Sequence, residues 1–211
     1  MTTPIQTNHK IICLGDSITF GYPFGPAFSW INRLRSQGLN LVNRGMNGDT
    51  TNDMLRRFSR DVLASAPTHV HILGGTNDAW LAFDPEESQH SICNMVELSL
   101  EHGIKPVLGL TTPICSNPLA GNSFFPFGTD KIKVWLSRFR KWLKDYTALH
   151  DIPLIDYYTP LCLPGTEEGE ARYFYDEGHL NHDGNAMMAV VAAKSFKDLL
   201  TTEEQSLFFT L

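Results

Sequence analysis

Basic residues are in the minority in this chain, cysteines are few, and no long apolar run is free of helix breakers. Each shortage removes a class of protein. Lys and Arg number 17 against 23 Asp and Glu, a formal charge of −6. A chain of that sign is repelled by a phosphate backbone unless a basic face is gathered somewhere. The sequence shows no such face, so nucleic acid is not an expected partner. The 4 cysteines, Cys13, Cys93, Cys115 and Cys162, are spaced without pattern. They fit neither a zinc knuckle nor a redox Cys-x-x-Cys, and read as reduced, mostly buried thiols. The longest uncharged stretch, 106–129, contains Pro106, Pro113, Pro118 and Pro126 as well as Gly109, Gly121 and Gly128. A single membrane-spanning helix would not tolerate that punctuation, so the stretch reads as a strand followed by a long loop. The opening MTTPIQTNHK lacks the basic start and apolar middle of a secretory signal, which predicts a cytoplasmic protein. Neither a Gly-x-Gly-x-x-Gly after the first strand nor a Walker loop is present, so nucleotide binding lacks its fingerprint and no cofactor is expected.

What is there is enough for one core. A chain of 211 residues with 42% hydrophobic side chains fits a single domain over 1–211, with its core at about 10–200 and a tail at 201–211. Short β-branched or aliphatic runs recur at 10–14, 39–43, 68–73, 105–111 and 153–156, each with the look of a buried strand. Between them lie helical spacings. The clearest puts Ile132, Trp135, Leu136, Phe139, Trp142, Leu143 and Tyr146 on one face. Thr50 or Thr51, Pro85, Thr129 and Asp183 mark helix starts, and Gly38 and Gly103 lie just past helix ends. The order is β-α repeated five times, which predicts a five-stranded parallel sheet in a three-layer α/β/α sandwich resembling flavodoxin. In such a sheet ligands bind beyond the carboxyl ends of the strands, and chemistry is to be sought in the loops there.

Four loop segments carry candidate chemistry, and each has a bland reading. Leu14-Gly15-Asp16-Ser17-Ile18-Thr19 ends strand one with an exposed serine, although Gly-Asp-Ser is also ordinary turn chemistry. Asn43-Arg44-Gly45-Met46-Asn47-Gly48-Asp49 follows strand two, and its glycines allow close backbone approach or merely a turn. Gly74-Gly75-Thr76-Asn77-Asp78 follows strand three, with an amide side chain that also suits a helix cap. Asp176-Glu177-Gly178-His179 sets a carboxylate and an imidazole three apart, on one face if the turn is helical or nearly so. Taken together they meet the needs of one reaction. A serine hydroxyl requires a base, the base a partner that fixes its tautomer, and the developing oxyanion preorganised donors. Ser17, His179 and Asp176 fill the first three roles; the backbone N–H groups of Ser17 and Gly45 and the Asn77 side chain are the expected donors.

These same segments, Gly15-Asp16-Ser17-Ile18-Thr19, Gly45, Gly75-Thr76-Asn77-Asp78 and Asp176-x-x-His179, occur in the order of the four sequence blocks of the SGNH (GDSL-type) hydrolases, and the chain resembles that family over most of its length. The resemblance implies a flavodoxin-like sandwich and a metal-free esterase, lipase, thioesterase or carbohydrate deacetylase. It places Ser17, Gly45, Asn77 and His179 at the family's four namesake positions, with Asp176 completing the triad. One variation stands out: Leu180 follows the histidine where many relatives carry proline.

The expected substrate is a small-molecule acyl ester. Transfer of the acyl group to an alcohol or sugar acceptor is the second enzymatic reading, and a catalytically silent ligand-binding module the remoter one. An α/β-hydrolase is disfavoured because Thr19 stands where Gly-x-Ser-x-Gly needs its second glycine. His69 with His71, and His179 with His182 and Asp183, suggest a metal but complete no ligand set. Trp80, with Phe124, Phe125 and Phe127 of the 112–129 loop, either walls an acyl pocket or roofs the sheet. Leu207, Phe208 and Phe209 leave open a subunit contact, and with it a homo-oligomer, or docking onto their own domain.

Overall fold

A computed structural model describes residues 9–119, 121 and 128–208, those beyond 201 by backbone alone. Five parallel strands, β1 (Ile11–Gly15), β2 (Leu41–Gly45), β3 (His69–Leu73), β4 (Lys105–Leu110) and β5 (Leu154–Asp156), lie in the order β2-β1-β3-β4-β5. The helices in chain order are α1 (Ser17–Phe20), α2 (Trp30–Arg35), α3 (Thr51–Arg56), α4 (Phe58–Asp61), α5 (Thr76–Trp80), α6 (Pro85–Glu101), α7 (Asp130–His150) and α8 (His182–Phe208). This is the expected α/β/α sandwich with the flavodoxin strand order. Among the described residues no helix is long and apolar enough to cross a membrane.

Strand periodicity explains the two layers. Side chains alternate across a strand, so a strand covered on both faces must be apolar throughout. In β1, Ile11 and Cys13 face a cluster with Trp30, Ile31 and Leu34 of α2 and Met188, Ala192 and Phe196 of α8. Ile12 and Leu14 face the opposite cluster, with Met54 of α3, Phe58 of α4, Ile92 and Met95 of α6 and Phe139 and Leu143 of α7. The face read for α7 holds: Ile132, Leu136, Phe139 and Leu143 are buried, with Trp135, Trp142 and Tyr146 packed beside them. Thr129 does precede that helix but makes no side-chain cap; its hydroxyl pairs with that of Ser116 instead.

Two boundaries differ from the sequence reading in ways that matter. β2 runs on to Gly45, two residues past the apolar run, because Gly45 pairs in register with Gly15. At the far end α8 continues to Phe208, through much of what reads as a tail. The side chains of Leu207, Phe208 and Phe209 lie outside the described residues, as do Phe124, Phe125 and Phe127.

The strand order decides where a ligand can sit. From β1 the chain goes outward to β2, then returns to lay β3 on the other side of β1, so the loops after β1 and β3 part in opposite directions and leave a crevice. Gly15 and Leu73 are register partners, which sets Ser17 and Asn77 at the lips of that crevice.

Candidate active site

At the carboxyl end of β1, Asp16 caps α1 by accepting the Ile18 N–H at 2.8 Å, and this turn fixes Ser17 as the first helical residue. Ser17 is buried to 6% exposure, and its Oγ lies 3.0 Å from His179 Nε2. On the other side of the ring, Nδ1 lies 2.8 Å from Asp176 Oδ2 and 3.0 Å from Oδ1. A carboxylate only accepts, so Nδ1 carries the proton and Nε2 is left as the acceptor for the serine hydroxyl.

The Asp176–His179 segment reaches this geometry without a helical turn. It is a loop closed by the antiparallel bridge between Phe174 and Leu180. Asp176 Oδ1 accepts the N–H groups of Gly178 at 2.9 Å and His179 at 2.7 Å. Self-bonding of an Asp to backbone two and three residues on replaces the helix as the device that brings the pair together. Leu180, where many relatives carry proline, is buried in the core behind the histidine. Burial pushes the Asp176 carboxyl up, but the His179 hydrogen bond and charge and the two backbone donors outweigh it and hold it below the usual carboxylate value.

A crevice of about 140 Å³ opens beside Ser17 and His179, walled by Tyr22, Asn77 and Trp80 and floored in part by Asn47 and Gly48. Asn77 Nδ2 donates to the Asp49 carbonyl at 2.9 Å, which orients the amide nitrogen and leaves its second hydrogen for a ligand. Trp80 thus belongs to the pocket wall.

Gly45 does not reach the pocket, and this corrects the assignment made from sequence. Its N–H is taken by Asn43 Oδ1 at 2.8 Å. A Cβ there would stand 2.1 Å from the Phe20 nitrogen, so Gly45 is a glycine because α1 packs against β2. Two glycines line the crevice, Gly178 of the Asp176–His179 loop and, after β2, Gly48, whose φ of +83° suits that residue. Gly48-Asp49-Thr50 immediately precedes the α3 start, whereas Gly45 is the last residue of β2. Tyr22 was also missed; its ring lies 4.5 Å from that of His179, tilted by 54°, and no local pattern announces it.

Of the histidines considered for a metal, His179 pairs with Ser17 and Asp176, and the others make different contacts. His69 and His71 are buried within the sheet, His71 Nε2 sharing a hydrogen bond with the Tyr157 hydroxyl at 3.3 Å. His182 stacks on Phe24 at 4.3 Å. No group of three His, Cys, Asp or Glu among the described residues is arranged to hold a metal ion.

Comparison with known proteins supplies the family. The model of the GDSL-like lipase/acylhydrolase family matches residues 13–187. The chain is 26% identical to the uncharacterized lipoprotein YqeF of Bacillus subtilis (strain 168) over 203 residues, 84% of this chain and 82% of that one. It is 28% identical to an arylesterase of Vibrio mimicus over 109 residues, 49% of this chain and 54% of that one. Among solved structures, a member of the lipolytic protein G-D-S-L family from Veillonella parvula superposes with a TM-score of 0.74 at 27% identity, covering 89% of this chain and 98% of that one. Since the matched span takes in the serine turn after β1 and the Asp176–His179 loop alike, the chain belongs to the GDSL-like lipase/acylhydrolase family.

Proposed function

We propose that this protein hydrolyses carboxylic esters of short acyl groups through a covalent acyl-Ser17 intermediate. The observation that carries the reading is the hydrogen-bonded chain from Ser17 Oγ through His179 to Asp176, 3.0 and 2.8 Å long. Ser17 Oγ attacks the ester carbonyl carbon while His179 Nε2 takes its proton, and the imidazolium then returns that proton to the departing alcohol. A water, deprotonated by the same nitrogen, attacks the acyl-serine, and its proton goes back to Ser17 as the acid leaves. Asp176 holds the tautomer and stabilises the imidazolium. The oxyanion donors are the N–H groups of Ser17 and Gly48 and the Asn77 amide, which flank the crevice.

The size of the crevice supports short acyl groups. At about 140 Å³ it is well below the roughly 300 to 1,000 Å³ of sites that enclose a drug-sized ligand, and suits an acetyl or similar group with the alcohol portion outside. The likeness to an arylesterase over 49% of the chain is in keeping with an ester leaving group of that kind.

Two measurements test the reading. An organophosphorus fluoride should label Ser17, as seen by peptide mass mapping, with loss of turnover in proportion; labelling of another serine with Ser17 untouched overturns the assignment. In a series of aryl esters, kcat/KM should be highest for acetyl to butyryl and fall for decanoyl. A rise with chain length would contradict the short-acyl reading and leave the triad standing.

A further inference from the structure

The polar groups beneath the crevice converge on one side chain outside it. Arg57 lies at the junction of α3 and α4 and is 7% exposed. Its Nε donates to Asp49 Oδ2 at 2.5 Å, one terminal nitrogen to Asp61 Oδ2 at 2.8 Å and the other to the Gly15 carbonyl at 2.9 Å. Asp49 lies just ahead of the Thr50 cap of α3, and one short helix brings Arg57 back over it. The two ends of this contact set are both adjacent to the site. Gly15 closes β1 two residues before Ser17, and the carbonyl of Asp49 is the acceptor that orients the Asn77 amide.

We propose that Arg57 is a positioning residue for the oxyanion hole, its rigid fork setting the Asp49 peptide, and through it the Asn77 amide, at a fixed distance from the end of the nucleophile strand. This rests on the donor role of Asn77 proposed above. A guanidinium is planar and offers donors in fixed directions, whereas a lysine ammonium in the same place is a single point charge on a flexible stem. Arg57→Lys therefore keeps the charge and loses the simultaneous grip on Asp49 and Gly15. Displacement of a preorganised donor by a fraction of an ångström to an ångström weakens transition-state stabilisation with little effect on ground-state binding.

The test is a double-mutant cycle on aryl acetate hydrolysis, with kcat, KM and melting temperature measured for Arg57→Lys, Asn77→Ala and the double variant. Arg57→Lys should lower kcat by roughly ten- to a hundred-fold with KM little changed. In the Asn77→Ala background the same substitution should change kcat by no more than about two-fold, because its effect is relayed through the missing amide. Equal losses in both backgrounds, or a wild-type kcat for Arg57→Lys, overturn the proposal and leave the role of Asn77 intact. A wild-type kcat for Asn77→Ala overturns that role and this proposal together. If Arg57→Lys does not fold, Asp49→Ala runs the same cycle: it removes the carboxylate that Arg57 holds and keeps the carbonyl that Asn77 uses.

Discussion

Asn77 occupies a position where a turn former and an oxyanion donor look alike in sequence, and its hydrogen bonding supports the donor role proposed above. A side-chain amide has two N–H donors; one goes to the Asp49 carbonyl, and the nitrogen keeps a second to donate. Removing a donor of this kind costs roughly a hundred- to a thousand-fold in rate, and Asn77→Ala should lose that much in kcat with a smaller change in KM. Asn77→Asp is the sharper probe, since its carboxylate accepts only and would face both a carbonyl and a developing oxyanion. Its kcat should fall below that of Asn77→Ala. A folded Asn77→Asp enzyme, verified by melting temperature, with near wild-type kcat would defeat the role. That Ser17, Asp176, His179 and Asn77 meet at one place was legible from the linear pattern, because Ser17 and Asn77 each lie two residues after a glycine at a strand end and Asp176 and His179 share a short Asp-x-x-His spacing. Gly48 displaced Gly45 because strand register, which assigns Gly45 to β2, is a pairing property that no single segment contains.

At the scale of elements, the crevice depends on how α3 begins. Thr50 and Asp53 form a reciprocal capping box, and the next residue, Thr51, donates its N–H and its hydroxyl to Asp78, which also accepts from Ser88 of α6. The residue after Asn77 is thus tied to two helices. Substituting an N-cap threonine by alanine costs about 1 kcal/mol, so Thr50→Ala should lower the urea midpoint by that free energy divided by the slope m, with the slope unchanged. An unchanged midpoint would mean that the Asp78 contacts alone hold this helix end. Thr50 or Thr51 could be read as a helix start from sequence; that Asp78 is the group receiving Thr51 could not, since 27 residues separate them.

For the molecule as a whole, two fully buried groups give stability opposite dependences on pH. Burial pushes the Asp16 carboxyl up to about 7 from 3.8, the Ile18 N–H and His179 only partly opposing it, with Asp78 and Asp49 adding to the rise. The fold therefore favours the protonated acid, and Asp16 loses stability as pH rises from about 4 to about 7. His71, sealed among Trp30, Tyr157 and Phe196, is pushed down by burial to about 3 from 6.5. Its fold favours the neutral ring, so stability is lost as pH falls from 6.5 towards 3. Between about 4 and 6.5 the two slopes, each up to roughly 1.4 kcal/mol per pH unit, offset one another. Asp16→Asn, which keeps an N-cap acceptor, should lose stability on acidification more steeply than wild type across that window. His71→Gln, which keeps an acceptor for Tyr157, should gain stability over the same range relative to wild type. Denaturant melts at several pH values measure both, and parallel curves for all three proteins would contradict the account.

The sequence by itself determined the layer architecture, the strand and helix order and which residues to propose as the triad. These follow from apolar runs, helical periodicity and short motifs, all of them local or regular along the chain. Tertiary structure decided what depends on distant segments meeting. The order of strands opened the crevice between the β1 and β3 loops, and the register of β2 on β1 set Gly45 aside in favour of Gly48. The meeting of the turn after α1 with the Asp176–His179 loop brought Tyr22 against the imidazole. Arg57 shows the difference most plainly. In the sequence it is one charged residue among others between Met54 and Asp61, and only the fold, by removing it from water, obliges it to find three acceptors, which tie the end of β1 to the Asp49 turn.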